Sequence, residues 1–187
     1  MERHNYCLIL KVQSPEKVTD LRPISLCNVV YKLHSKVLAN SLKLILPDII
    51  SPTQSALVPG RLISDNILIA YELTHFMLNK RTGRRGWAAI KLDMSKANHC
   101  VEWNFLAAMM NKMGFCENWI QLVMKCVTTV KYQIKVNGSL SNVFEPEREL
   151  RHGDPMSPYL FLICSFFVLR VFQLCCQRQR RRVCSLE

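Results

Sequence analysis

"AIKLDMSKANHCVEW" (Ala89–Trp103) decides how the chain is read. Ala88, Ala89, Ile90 and Leu92 form a short apolar run that predicts a buried strand, with Asp93 at its carboxyl end. A helix-like segment follows. A carboxylate fixed where a strand ends at a crevice suits metal or phosphate chemistry, and Lys91 and Lys96 on either side would suit phosphates. On these residues alone the plainer reading of Asp93 is the N-cap of the following helix.

Outward from this stretch, helix and strand periods alternate. Tyr6 to Val12 predicts a strand, and Gln13 to Thr19 a polar loop. Leu26, Val29, Val30, Leu33, Val37, Leu38, Leu42 and Ile45 recur at three and four, which predicts an amphipathic helix over 26–46, ended by Pro47 and Pro52. Ser64 is placed to cap a second helix running to about Lys80, with Ile67, Tyr71, Thr74 and Leu78 on one face. Lys80 to Gly86 is a basic loop. Beyond Asp93, Phe105, Leu106, Met109, Met110 and Met113 form a helical stripe ended by Gly114, and such a stripe predicts core. Trp119 to Thr128 is a further helix. Tyr132, Ile134 and Val136 alternate with Lys131, Gln133 and Lys135 before Asn137-Gly138, a hairpin signature with its return strand near 141–144. A loop over 145–156 precedes Ser157-Pro158, which opens a last apolar segment to about Cys176. The fold class is α+β, helix-rich with a short mixed or antiparallel sheet.

The 187 residues carry a net charge of +11, which suits a polyanion, nucleic acid first. Arg170, Arg178 and Arg180 to Arg182 account for five of the 25 basic residues, and Glu187 for one of the 14 acidic ones. Without them 20 basic and 13 acidic residues remain, so residues 1–169 hold +7 on their own. Nine cysteines at irregular spacing, with no CxxC and no secretory leader, predict reduced thiols in the nucleus or cytoplasm. The spacing offers no zinc site, and His99-Cys100, adjacent and without distant partners, makes a poor one.

Four blocks in this order, "DLRPISLCNVVYKLHSKVLANSLK", "QSALVPGRLISDNIL", "KLDMSKA…VEW" and "LRHGDPMSPYLF", resemble the reverse transcriptase of LINE-type (non-long-terminal-repeat) retrotransposons, most closely the plant lineage. The resemblance spans roughly Tyr6 to Cys164. It implies a partial right-handed polymerase, with residues 1–85 as fingers and 86–164 as part of the palm. It also implies a Mg²⁺ site that aligns a DNA primer's 3′-hydroxyl, on an RNA template, with an incoming deoxynucleoside triphosphate. Asp93 matches the first metal-bridging carboxylate and the Met94 backbone carbonyl a ligand beside it. "RHGDPMSP" matches the element that holds the incoming base pair. In it Gly153 admits close backbone approach, Asp154 and Ser157 can cap the next helix, and Pro155 or Pro158 fits its first turn. Arg22 and Arg61 match basic contacts to template or triphosphate, and Asn98, His152 and Gly153 fall at nucleotide-facing positions.

The departures are specific. Where the family has Tyr-Asp-Arg, this chain has Asn98, His99 and Cys100. His152 replaces Gln, Glu149 replaces Gly and Leu10 replaces Pro. The aromatic ring that would lie beneath the incoming sugar is lost at Asn98. The family's second carboxylate pair, in an (F/Y)ADD hairpin, has no counterpart: Asp occurs at 20, 48, 65, 93 and 154 only, and the sole acid after Asp154 is Glu187. The resemblance therefore predicts a degenerate reverse transcriptase fragment without polymerase activity. The alternative is a non-catalytic nucleic-acid-binding remnant. Residues 165–187 read as an aberrant, apolar and Arg-rich tail. Codons for the family's Cys-Ala-Glu-Gly-Phe continuation, read one base out of frame, give Val-Leu-Arg-Val, the residues at 168–171. The apolar run Tyr159–Leu169 falls short of the ~20 residues needed to span a membrane, so no membrane association is expected.

Overall fold

The computed structural model describes residues 2–80, 89–91, 97–136 and 138–184. Its elements are β1 (Glu2–Leu10), β2 (Leu21–Leu26), α1 (Val29–Ile49), α2 (Ile63–Asn79), α3 (Trp103–Lys112), α4 (Glu117–Thr128), β3 (Val130–Val136), β4 (Ser139–Leu140) and α5 (Ser157–Cys184). Short 3₁₀ turns occupy Val18–Asp20 and Ala97–Cys100. The four strands form one mixed sheet in the order β2-β1-β3-β4. β1 runs antiparallel to β2, with Leu8 opposite Pro23, and parallel to β3, with Tyr6 opposite Ile134. β3 turns back into β4 through Gly138 at φ +87°, the hairpin expected there. A bridge between Tyr132 and Phe144 extends the pairing. β2 was not expected. It is an edge strand, the place in a sheet where Pro23 does not interrupt a ladder.

The main core lies where α1, α3, α4 and the start of α5 meet. Leu38, Leu42, Leu106, Met110, Val123, Leu150, Leu160 and Ile163 are among its buried members. The Met109/Met110 stripe lies in the core, as expected. Leu46, Ile50, Val58 and Leu162 form a second, smaller cluster.

Helix α1 exists as predicted but turns a different face inward. Its buried residues are Tyr31, Ser35, Leu38, Ala39, Leu42 and Leu46. Val29, Val30, Leu33 and Val37 are exposed, Leu33 at 63%. Several of these line an open cleft of about 1070 Å³ between α1, α4 and β3, with Tyr31 and Arg151 among its lining residues. Asn28 caps α1 by accepting from the Val30 N–H at 3.0 Å. Pro47 does not end the helix, which runs on to Ile49. The carbonyls left short of donors there are met by Arg61, described below.

α2 starts at Ile63 with Leu62 at the N-cap, so Ser64 lies inside the helix and does not cap it. None of its residues is buried, and the expected apolar face of Ile67, Tyr71 and Leu78 is exposed. The expected strand before Asp93 is not seen in its described part: Ala89, Ile90 and Lys91 have no regular structure, and Ile90 is 68% exposed. Most of the basic loop falls outside the described residues. α5 is a single helix of 28 residues that carries the tail on without a break to Cys184. Among the described residues no helix is long and apolar enough to cross a membrane.

Candidate nucleotide-binding loop

The site is built from two segments distant in sequence, the 97–100 turn and the 149–156 loop. Backbone hydrogen bonds join them. The Leu150 N–H donates to the Asn98 carbonyl and the Glu149 N–H to the Val101 carbonyl, both at 3.0 Å. The Trp103 indole N–H donates to the Glu149 carbonyl, also at 3.0 Å.

From there the loop alternates inward and outward. Leu150 enters the core. Arg151 is buried. Its guanidinium lies 4.1 Å from the centre of the Tyr31 ring and donates to the Cys126 carbonyl. His152 is half-buried and Gly153 exposed, at φ +90°, a conformation that glycine adopts without strain. Asp154 turns inward again and is 5% exposed. Its carboxylate accepts from the Tyr31 hydroxyl at 2.7 Å, from the Ser35 hydroxyl, and from the Met156 N–H at 3.1 Å. Burial first, and then the Asp154 charge, push the Tyr31 phenol far above its ordinary range, so it stays a donor. The expected cap of α5 is not seen at Asp154, whose bond goes to the Met156 N–H ahead of the helix, and Ser157 is the first residue of the helix itself.

The outward residues share one rim. His99 Nδ1 lies 2.9 Å from a Glu149 carboxylate oxygen. The His99 and His152 rings are tilted at 56° with centroids 5.0 Å apart. Burial first, and then His99, hold the His152 imidazole below the usual histidine range, against the opposing pull of Glu149. Glu149 sits at φ +106°, rare for any residue but glycine.

Of the residues singled out in the sequence, the fold thus brings together Asn98, His152 and Gly153. Asp93 and Met94 lie outside the described residues. Arg22 lies in β2 opposite Ile9. Arg61 has its guanidinium turned onto the carboxyl end of α1, donating to the carbonyls of Pro47, Ile50, Ser51 and Gln54 at 2.6–3.3 Å. Sequence reasoning missed Tyr31, Ser35 and Arg151. The available signal was two polar residues four apart, in register with Leu38 and Leu42, which a reading of apolar residues alone passes over.

The family described as reverse transcriptase (RNA-dependent DNA polymerase) matches residues 10–184. The chain belongs to the reverse transcriptase family. It is 31% identical over 144 residues to a transposon TX1 uncharacterised 149 kDa protein of Xenopus laevis, covering 77% of this chain and 11% of that one. It is 25% identical over 167 residues to a retrovirus-related Pol polyprotein from the type-1 retrotransposable element R2 of Popillia japonica, covering 84% of this chain and 22% of the relative. A stretch of 30 residues is 50% identical to an uncharacterised mitochondrial protein of Arabidopsis thaliana, or 16% of this chain and 25% of that one. The chain thus spans a small part of these relatives and is a fragment of a reverse transcriptase domain, homologous to retrotransposon proteins.

Members of this family work with divalent metal ions. Among the described residues, a converging group of metal-ligand side chains is His99, Glu149 and His152. Two imidazoles and one carboxylate do not fit Mg²⁺, which takes oxygen ligands. Asp154 is already committed to three donors.

Proposed function

We propose that the chain is fingers (1–85) and partial palm (86–164) of a non-long-terminal-repeat retrotransposon polymerase. As these 187 residues it would hold nucleic acid without extending a primer. In this reading Asp93 and the Met94 carbonyl supply one side of a Mg²⁺ site, and the rim of Asn98, His152 and Gly153 faces the incoming nucleotide. The observation that carries the inactivity is the fate of the carboxylates. Asp154 is buried and committed to Tyr31, Ser35 and the Met156 N–H. Asp20 accepts from the Glu16 and Lys17 N–H groups at 3.2 and 3.1 Å. Asp48 and Asp65 lie in α1 and α2. No Asp follows residue 154. A pair of metal ions a few ångströms apart needs shared carboxylates, and Asp93 alone does not supply them.

Primer extension tests this directly, with an RNA template, a DNA primer, the four deoxynucleotides and Mg²⁺ or Mn²⁺. The expected result is no incorporation above an Asp93→Ala control. Incorporation that depends on Asp93 would overturn the inactivity. The nucleic-acid-holding part rests separately on the +7 carried by residues 1–169.

A further inference from the structure

Three of the positions at which this chain departs from its family's pattern meet in space. His99, Glu149 and His152 each offer one ligand atom, and all these atoms lie within 4.8 Å of one another. Along the chain His99 has no nearby partner for a metal; the backbone pairing of 97–101 with 149–150 brings two. We propose that these three side chains form a binding site for a divalent transition ion of the zinc type, with a ligand set that does not include Asp93.

The donor set selects the ion. Two neutral imidazoles and one carboxylate suit Zn²⁺, Co²⁺ or Ni²⁺ rather than Mg²⁺ or Ca²⁺. In a tetrahedral zinc site with bonds of about 2.0–2.2 Å, neighbouring ligand atoms lie ~3.4 Å apart. The 2.9 Å between His99 and Glu149 already falls inside that figure, so closure asks mainly for a swing of the His152 ring. The supports are rigid. Glu149 is fixed by the hydrogen bonds of its own N–H and carbonyl and held at φ +106°. His152 lies between buried Arg151 and buried Asp154, both tied to Tyr31 of α1. All three side chains are half-buried, which lowers local screening while leaving an entry path. Three protein ligands leave a fourth position for water or another small donor. The bound ion would clip the 97–100 turn to the 149–153 loop.

The test uses the whole chain, stripped with chelator under reducing conditions and titrated with Zn²⁺ and Co²⁺. One ion per chain should bind at micromolar concentration or below, with millimolar Mg²⁺ failing to displace it. The Co²⁺ complex should show ligand-field bands without intense sulfur-to-metal charge transfer. His99→Gln and His152→Gln should each weaken binding by at least about tenfold, and Cys100→Ser should leave it unchanged. Zn²⁺ should raise the Tm of the parent chain and not that of the double variant H99Q/H152Q. Glu149→Gly, which relieves the backbone and so is safe for folding, should also lose the ion. The proposal is overturned if H99Q/H152Q or Glu149→Gly binds as the parent does. It is also overturned if binding needs millimolar ion, if Cys100→Ser weakens it, or if thiolate charge transfer appears. Primer extension does not enter this test, so its outcome stands apart from the polymerase reading.

Discussion

Asp154 shows how one residue sets the position of a loop. A buried carboxylate is expensive unless its lone pairs are met, and here Tyr31, Ser35 and the Met156 N–H meet them. The cost of removing it is therefore that of the Tyr31 and Ser35 hydroxyls losing their acceptor as well as of the lost bonds, while the Met156 N–H keeps a second acceptor in the Ser35 hydroxyl oxygen at 3.2 Å. Asp154→Ala should lower unfolding free energy by about 3 kcal/mol, and Tyr31→Phe, which leaves two donors in place, by about 1 kcal/mol. Urea denaturation followed by circular dichroism measures both. An Asp154→Ala loss no larger than that of Tyr31→Phe would mean that the buried network does not anchor the loop. The same network explains what the sequence hid at this scale. Asp154 and Gly153 could be placed in the turn ahead of α5 from their neighbours alone. The side-chain partners of Asp154 lie more than a hundred residues upstream, and what marks Tyr31 and Ser35 as inward-facing is only their register with Leu38 and Leu42. His99 makes a poor metal site in the sequence for the same reason, since its partners come from a loop about fifty residues away.

At the scale of elements, period was a sound guide to where helices run and a poor guide to which face they bury. α3 was legible because its Met stripe has one apolar side. α1 is apolar on two sides, so the choice fell to the hydrogen-bonding needs of Asp154, and the face carrying Val30, Leu33 and Val37 was left lining the cleft. Its carboxyl end was misplaced because Pro47 reads as a terminator. The helix runs two residues past Pro47, and Arg61 reaches back with a fork of donors to the Pro47 carbonyl at its end and to the Ile50, Ser51 and Gln54 carbonyls just beyond it. This gives Arg61 two testable roles. If it caps α1, Arg61→Ala should cost roughly 2 kcal/mol, and Arg61→Lys should recover little, since a single ammonium cannot span four carbonyls. If it instead contacts template or triphosphate, Arg61→Ala should keep its Tm and weaken nucleic-acid binding. Thermal unfolding and a gel shift on the same variants separate the two. The geometry leads us to expect the loss of stability.

For the whole molecule the decisive quantity is charge. A net +11, of which +7 belongs to residues 1–169, is a field that attracts polyanions irrespective of sequence. Such binding works by releasing counterions, so it has a signature that specific recognition alone lacks. With on the order of five phosphate contacts, log K should fall against log salt with a slope near −4 to −5 on duplex and somewhat less on single strands. Raising salt from about 50 to 200 mM should then weaken binding several hundredfold. The tail offers an internal control. Neutralising Arg178, Arg180, Arg181 and Arg182 to Gln removes four charges from the carboxyl-terminal part of α5. If the body carries the binding, the quadruple variant still shifts RNA and DNA, with a shallower slope. If all binding disappears with those four residues, the affinity belongs to the tail. A salt-insensitive shift, or none at all, would remove the nucleic-acid reading for both parts. We expect the body to retain binding, because its excess of basic residues persists when the tail's arginines are taken away.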